Sequence, residues 1–203
     1  MSAIQKPELI LCDLGGVLYT LDYERTWSLF QHCCNKTYDE IRDILYDDAF
    51  ISLEKGKISP MQYHREVSRR LGCEMSFEEF KETFNAFLLK REEIFGLLSR
   101  LISCVPVHFL SNTNAINAEL LREDLSGIRA GSTLSFETGF RKPEPEIYGI
   151  ALKRSGTSAG NAVFIDDSEE NVRAAEEVGI RSHLFTGKNG LLRFLENEGI
   201  RRV

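Results

Sequence analysis

Asp13 follows an apolar run, Leu9 to Cys12, and is succeeded at once by Leu14, Gly15 and Gly16. A strand that delivers a carboxylate onto a glycine turn can present it as a nucleophile or a metal ligand. Three more polar clusters follow apolar runs in the same manner: Ser111-Asn112-Thr113-Asn114, Gly139-Phe140-Arg141-Lys142-Pro143 and Asp166-Asp167-Ser168. Asp13 and Asp167 can hold a hard divalent cation through oxygen, and magnesium is the usual choice where few protein ligands suffice. That cation, the Lys142 ammonium and the Ser111 hydroxyl can neutralise phosphoryl oxygens. The amides around Leu14 and Gly15 can form a backbone nest for the same group. The free oxygen of Asp13 can then attack phosphorus in line. Each cluster also has a plain structural use. Asp13 can cap a turn, Ser111 to Asn114 can be a helix N-cap, Lys142-Pro143 can start a helix, and Asp167 or Ser168 can cap another. Four caps alone would not need a lone basic residue in one cluster and carboxylates in two others.

Five β-type runs position these clusters: Leu9–Cys12, Val105–Leu110, Ser132–Phe136, Ala162–Ile165 and Ser182–Phe185. Helical patterns lie between most of them. Ala115–Leu125 is one, Glu144–Arg154 opened by Pro143 is a second, and Glu169–Val178 stopped by Gly179 is a third. Alternating strands and helices imply a parallel sheet covered on both faces, with ligands at the carboxyl ends of its strands. Residues 20–89 break that rhythm and offer no convincing strand. Helices are expected there over Tyr23–Cys33, Tyr38–Tyr46, Pro60–Leu71 and Phe77–Leu89. Ser76 with Glu79 fits a capping box, and Phe77, Phe80, Phe84 and Phe87 share one helical face as a packing stripe.

The bulk composition narrows the possible partners. Hydrophobic residues make up 42% and charged residues 28% of the chain, with a formal net charge of −6, which argues against nucleic acid as the main partner. A phosphate ligand must therefore be held locally. The five cysteines form no CxxC pair and no zinc-like spacing with the four histidines, and Cys12 and Cys104 are expected to be small buried hydrophobes. No signal peptide or membrane span is recognisable, so a reduced, cytoplasmic setting is the default expectation.

The motifs "DLGGVL", "LSNTN", "GFRKPEPEIY" and "VFIDDSEENVRAAEEVGI" occur in an order that resembles the haloacid-dehalogenase-like (HAD) hydrolase superfamily, in its subgroup with a small helical cap after the first strand. The resemblance implies a Rossmann-like α/β core, residues 1–19 and 90–203, with an inserted all-helical cap, residues 20–89. It implies an aspartyl-phosphate intermediate at Asp13 and magnesium held by Asp13, Asp167 and the backbone carbonyl of Gly15, with Asp166 near the metal. It assigns phosphate contacts to Ser111 and Lys142 beside Leu14, Gly15 and Asn112. "LEKGKIS", Leu53 to Ser59, resembles the cap loop that faces the active site, which makes Glu54 and Lys57 candidates for substrate contact; a surface turn around Gly56 is the plainer alternative. The implied substrate is a small phosphorylated metabolite, such as a sugar phosphate, and the implied assembly a monomer or homodimer.

Gly15 departs from the pattern, because phosphatases of the family usually carry an aspartate there. That residue protonates the leaving oxygen and then activates water, help typically worth about 10²–10⁴ in rate. Asp22, Glu24, His32, Glu54 and His64 are acids that could replace it, as could water or a substrate with a good leaving group. Two other readings stand beside the phosphatase. One is a 2-haloacid dehalogenase, disfavoured by the pair Asp166-Asp167; the other is a phosphate-binding regulatory protein of low turnover.

Overall fold

The computed structural model describes residues 6–200, so the outer limits expected for the core at 1 and 203 lie outside the described residues. Five parallel strands form the main sheet: β1 (Leu9–Cys12), β4 (Val107–Ser111), β5 (Gly131–Leu134), β6 (Ala162–Asp166) and β7 (Arg181–Leu184), in the order β5-β4-β1-β6-β7. The central strand β1 sets Cys12 opposite both Phe109 of β4 and Ile165 of β6. That register puts Asp13, one residue past β1, beside the carboxyl ends of both neighbours, and its amide donates to the Ile165 carbonyl at 2.9 Å.

Alternation along the strands fills both faces. Ile10, Cys12, Val107, Phe109, Val163 and Ile165 point to one side, onto helices α6 (Glu92–Ile102) and α11 (Lys188–Asn197). Leu9, Leu11, Leu110 and Phe164 point to the other, onto α9 (Pro145–Ser155) and α10 (Glu169–Glu177). Burial on both faces is what a parallel sheet requires, and it explains the unbroken apolar runs.

Between β2 (Tyr19–Leu21) and β3 (Leu88–Lys90) lie five helices: α1 (Tyr23–Gln31), α2 (Tyr38–Leu45), α3 (Asp48–Glu54), α4 (Pro60–Leu71) and α5 (Phe77–Asn85). They pack around Phe30, Ile41, Tyr63, Val67, Phe80 and Phe84, with Ile116 reaching in from α7 (Ala115–Asp124). Capping boxes start α2 at Thr37, α4 at Ser59 and α5 at Ser76. In the aromatic stripe Phe80, Phe84 and Phe87 are buried, as a packing face requires.

Several local expectations are corrected. The segment expected to lack strands contributes to a two-stranded antiparallel ribbon, β2 with β3, so the helix expected over Phe77–Leu89 stops at Asn85. Pro145, not Pro143, occupies the first turn of α9, and the Lys142–Pro143 bond is cis. Ser135 and Phe136, expected in a strand, belong to the short helix α8 (Ser135–Thr138). Helix α3, seven residues long and capped by Asp47, is absent from the expectations, as are α6 and α11, which begin without any side-chain cap. Neither of the latter two carries the start signal on which a sequence reading depends. Cys33 and Cys73 form a disulfide across 40 residues, against the expectation of a reduced chain; paired cysteines so far apart leave no spacing pattern. Cys12 is free and buried, whereas Cys104 is only partly buried. No helix among the described residues is long and apolar enough to cross a membrane.

One buried group in this frame makes stability depend on pH. His108 of β4 is 6% exposed and shares a hydrogen bond of 2.8 Å with the Thr133 hydroxyl. Burial, aided by the Arg154 charge, holds its pKa at about 4, below the ordinary 6.5. The unfolded chain therefore takes up this proton first, so stability present above pH 6.5 is lost progressively as pH falls towards 4. The loss from this residue should reach about 3 kcal/mol. Urea unfolding across that window should show a steeper pH slope for the native chain than for His108→Gln.

Candidate active site

The carboxyl ends of β1, β4 and β6 converge on one ammonium. Lys142, in the loop before α9, is 1% exposed, and its Nζ lies 2.8 Å from Asp13 Oδ2 and 2.5 Å from Asp166 Oδ2. Asn112 fixes that lysine by a double latch: the Lys142 amide donates to Asn112 Oδ1 at 2.7 Å, and Asn112 Nδ2 donates to the Lys142 carbonyl at 2.8 Å. The Asn112 side chain, expected to bind substrate, is thus engaged in holding the Lys142 loop against β4. Asp13 Oδ1 accepts from the Leu14 amide at 2.7 Å, so that amide is turned to the carboxylate here. Burial raises the Asp13 pKa; Lys142 pulls it down and Asp166 pushes it up.

Asp13, Asp166 and Asp167 each bring a carboxylate oxygen within 4.8 Å of the others. Three carboxylates face one buried ammonium, and the excess negative charge is what a divalent cation bound through oxygen would relieve. Asp166 is wholly buried, and both its oxygens have protein donors: Oδ1 accepts from the Ser168 amide and Asn171 Nδ2, each at 2.9 Å, and Oδ2 from Lys142. Asp13 and Asp167 are therefore the more available oxygens, and Asp166 contributes charge and holds the lysine. The glycine turn makes room for this cluster. Gly16 has φ +71°, and a Cβ there would stand 1.9 Å from Asp167 Oδ2, so glycine is required on two counts. Gly15 is different: its φ is unexceptional, and a Cβ would meet nothing nearer than the Leu21 side chain at 3.5 Å.

A cavity of about 250 Å³ opens above these residues between core and cap. Asp13, Leu14, Gly15, Ser111, Asn112 and Asp167 form its floor. Leu21, Tyr23, Tyr46, Phe50 and Phe87 make most of its cap side, which is largely apolar. The Ser111 hydroxyl is buried at the floor with only a 3.5 Å contact to the Asn112 carbonyl. Of the two cap residues expected at the site, Glu54 lines the cavity and is 5% exposed, whereas Lys57 is exposed and does not line it. The neighbouring Lys55 instead pairs with Glu144 of the core.

Arg141 is the clearest residue the sequence reading passed over. It lines the cavity and pairs with Glu54 Oε2 at 3.1 Å, tying cap to core. Its adjacency to Lys142 was the available signal, but the partner lies 87 positions earlier in the chain. Tyr23 lines the cavity, while Tyr19 is buried elsewhere and donates to Asp124 at 2.8 Å.

A parallel α/β sheet that gathers carboxylates and a lysine at its strand ends beneath a helical cap has the architecture of an enzyme whose site lies at the strand ends. A family model described as a haloacid dehalogenase-like hydrolase matches residues 7–179. The chain is 28% identical over 195 residues to D-ribitol-5-phosphate phosphatase of Bacteroides thetaiotaomicron, covering 89% of this chain and 92% of that one. It is 31% identical over 178 residues to a sesquiterpene phosphatase of Aspergillus oryzae, covering 83% and 84%. A HAD family enzyme from Bacteroides thetaiotaomicron, crystallised with magnesium and inorganic phosphate, superposes with a TM-score of 0.81 at 29% identity, covering 90% of this chain and 96% of that one. The chain belongs to the haloacid dehalogenase-like hydrolase family, and its likeness to named phosphatases makes it an enzyme of the phosphatase kind.

Proposed function

We propose that this protein hydrolyses the phosphate monoester of a small metabolite with magnesium as cofactor, through a covalent phosphoryl group on Asp13. The observation that carries the reading is the cluster of Asp13, Asp166 and Asp167 around one buried lysine at the floor of a capped cavity. Asp13 and Asp167 would hold the cation, which when bound supplies positive charge to the phosphoryl oxygens. Asp13 attacks phosphorus, Lys142 and the Ser111 hydroxyl balance the charge that develops there, and water afterwards releases phosphate from Asp13. A carbon-directed dehalogenase is disfavoured, because three carboxylates beside a departing halide would repel it. The cap side of the cavity favours a leaving group with substantial apolar surface, since Leu21, Phe50 and Phe87 offer it no hydrogen bonds.

Magnesium-dependent release of phosphate from p-nitrophenyl phosphate and from a panel of sugar, polyol and prenyl monophosphates tests the reading. Turnover that needs magnesium is expected; measurable magnesium binding without turnover on any member would instead indicate a phosphate-binding protein. Space at Gly15 makes a second outcome testable. Gly15→Asp should fold normally and raise turnover on alkyl phosphates, whose leaving oxygen needs a proton, more than on p-nitrophenyl phosphate. Loss of folding in that variant would show that the backbone there demands glycine.

A further inference from the structure

A phosphatase with glycine at position 15 still needs a group that gives a proton to the leaving oxygen and takes one from water. Among the described residues, the carboxylates lining the cavity are Asp13, Asp167 and Glu54. Asp13 is the attacking group and Asp167 belongs to the cation cluster, which leaves Glu54. The other acids considered from the sequence are placed elsewhere: Asp22 caps α1, His32 is exposed on the Ser28 carbonyl, Glu24 is exposed, and His64 contacts the Met75 carbonyl away from this cavity. The cavity tyrosines, Tyr23 and Tyr46, are pushed up by burial first and by the surrounding negative charges, so neither would serve as a base for water.

Glu54 is held in place from the core. It ends α3, its carboxylate pairs with Arg141, the adjacent Lys55 pairs with Glu144, and a Cβ on Gly56 would lie 2.2 Å from the Phe136 carbonyl oxygen. The backbone that carries it is therefore packed directly against α8. The ion pair with Arg141 leaves the buried Glu54 Oε2 without a hydrogen bond, and Arg141 Nε and the Tyr46 hydroxyl, also at the cavity, are buried without partners. Two polar atoms without partners, beside an ion pair that joins cap to core, mark where a ligand oxygen would be recognised. Burial raises the Glu54 pKa, with Arg141 and then Lys142 pulling it back.

We propose that Glu54, supplied by the cap, is the general acid and base of this enzyme and does the work that an aspartate at position 15 would otherwise do. The assignment rests on the phosphatase reading above. In the first step the Asp13 oxygen bonds to phosphorus, the bond from phosphorus to the leaving oxygen breaks, and the Glu54 proton passes to that oxygen to give the alcohol. In the second step Glu54, now a carboxylate, takes a proton from water as the water oxygen bonds to phosphorus. The bond from phosphorus to Asp13 breaks, which restores both carboxyl groups.

The test compares Glu54→Gln with the native enzyme, both with magnesium, on an alkyl phosphate and on p-nitrophenyl phosphate. Turnover of the alkyl ester should fall by about 10²–10⁴ with KM little changed. Nitrophenolate needs no proton to leave, so that substrate should give a burst equal to the enzyme present, followed by slow turnover as water attack lags. Adding Gly15→Asp to Glu54→Gln should restore turnover of the alkyl ester. Arg141→Met, which breaks the same ion pair but keeps the carboxylate, should weaken binding without the burst. Equal losses on both substrates with no burst, or a change confined to KM, would overturn the assignment and leave Glu54 a binding residue. A native enzyme that releases phosphate from neither ester would overturn the phosphatase reading itself, and the assignment with it.

Discussion

Asp13→Asn should lower phosphate release by at least about 10⁴-fold, the scale seen when a nucleophile is removed from a group of residues that act together. Asparagine keeps the shape of the side chain and an acceptor for the Leu14 amide, which lies 2.7 Å from Asp13 Oδ1. What it removes is the oxygen proposed to attack phosphorus and one of the charges that would face a cation. Lys142 keeps its second partner, Asp166, at 2.5 Å, so the variant should fold and its unfolding midpoint should change little. Steady-state phosphate release with magnesium, paired with a search for acid-stable phosphate on the protein, separates the outcomes. Appreciable turnover in the variant would rule out a covalent route through Asp13.

Lys142→Met carries the second large effect, and it acts on folding as well as on turnover. The lysine is buried between Asp13 and Asp166, so methionine would leave two carboxylates without the positive charge that balances them. Removing one partner of a buried ion pair typically costs about 3–5 kcal/mol. Here a cation can stand in for the missing charge. The destabilisation seen in urea without magnesium should shrink when magnesium is added, more than magnesium shifts the native protein. Turnover should stay low in either case, because no ammonium remains beside the phosphoryl oxygens. If magnesium stabilises the variant and the native protein equally, the carboxylates do not share a cation site with this lysine.

The alternating apolar runs and the polar residues that end them were legible because both are local. A strand buried on two faces must be apolar throughout, and a catalytic strand end must change abruptly to polar or glycine. Asp13, Ser111, Lys142 and Asp166-Asp167 were found in this way, and one cap helix declared itself through the capping box of Ser76 with Glu79. Of the helices that went unrecognised, α6 and α11 start without side-chain caps and owe their order to the sheet they cover, whereas α3 is capped by Asp47 but spans only seven residues. The ribbon of Tyr19–Leu21 with Leu88–Lys90 escaped because three-residue strands 67 positions apart carry no pattern of their own.

At the site the same division has a physical basis. Residue type alone limits which groups can ligate a hard cation, carry a positive charge or attack phosphorus, so the residues that meet at the floor could be picked out from the chain. Whether a polar side chain faces substrate or a neighbour depends on contacts between distant segments. Asn112 was free to bind substrate until Lys142, 30 residues on, took both ends of its amide. Glu54 and Lys57 were equal candidates until Gly56 was pressed against Phe136, which left Glu54 at the cavity and Lys57 in solvent. Gly15 and Gly16 look alike in sequence, yet Asp167 closes over one and leaves the other room for a side chain. Those choices belong to packing between core and cap, because only there do burial and unpartnered polar atoms acquire a position.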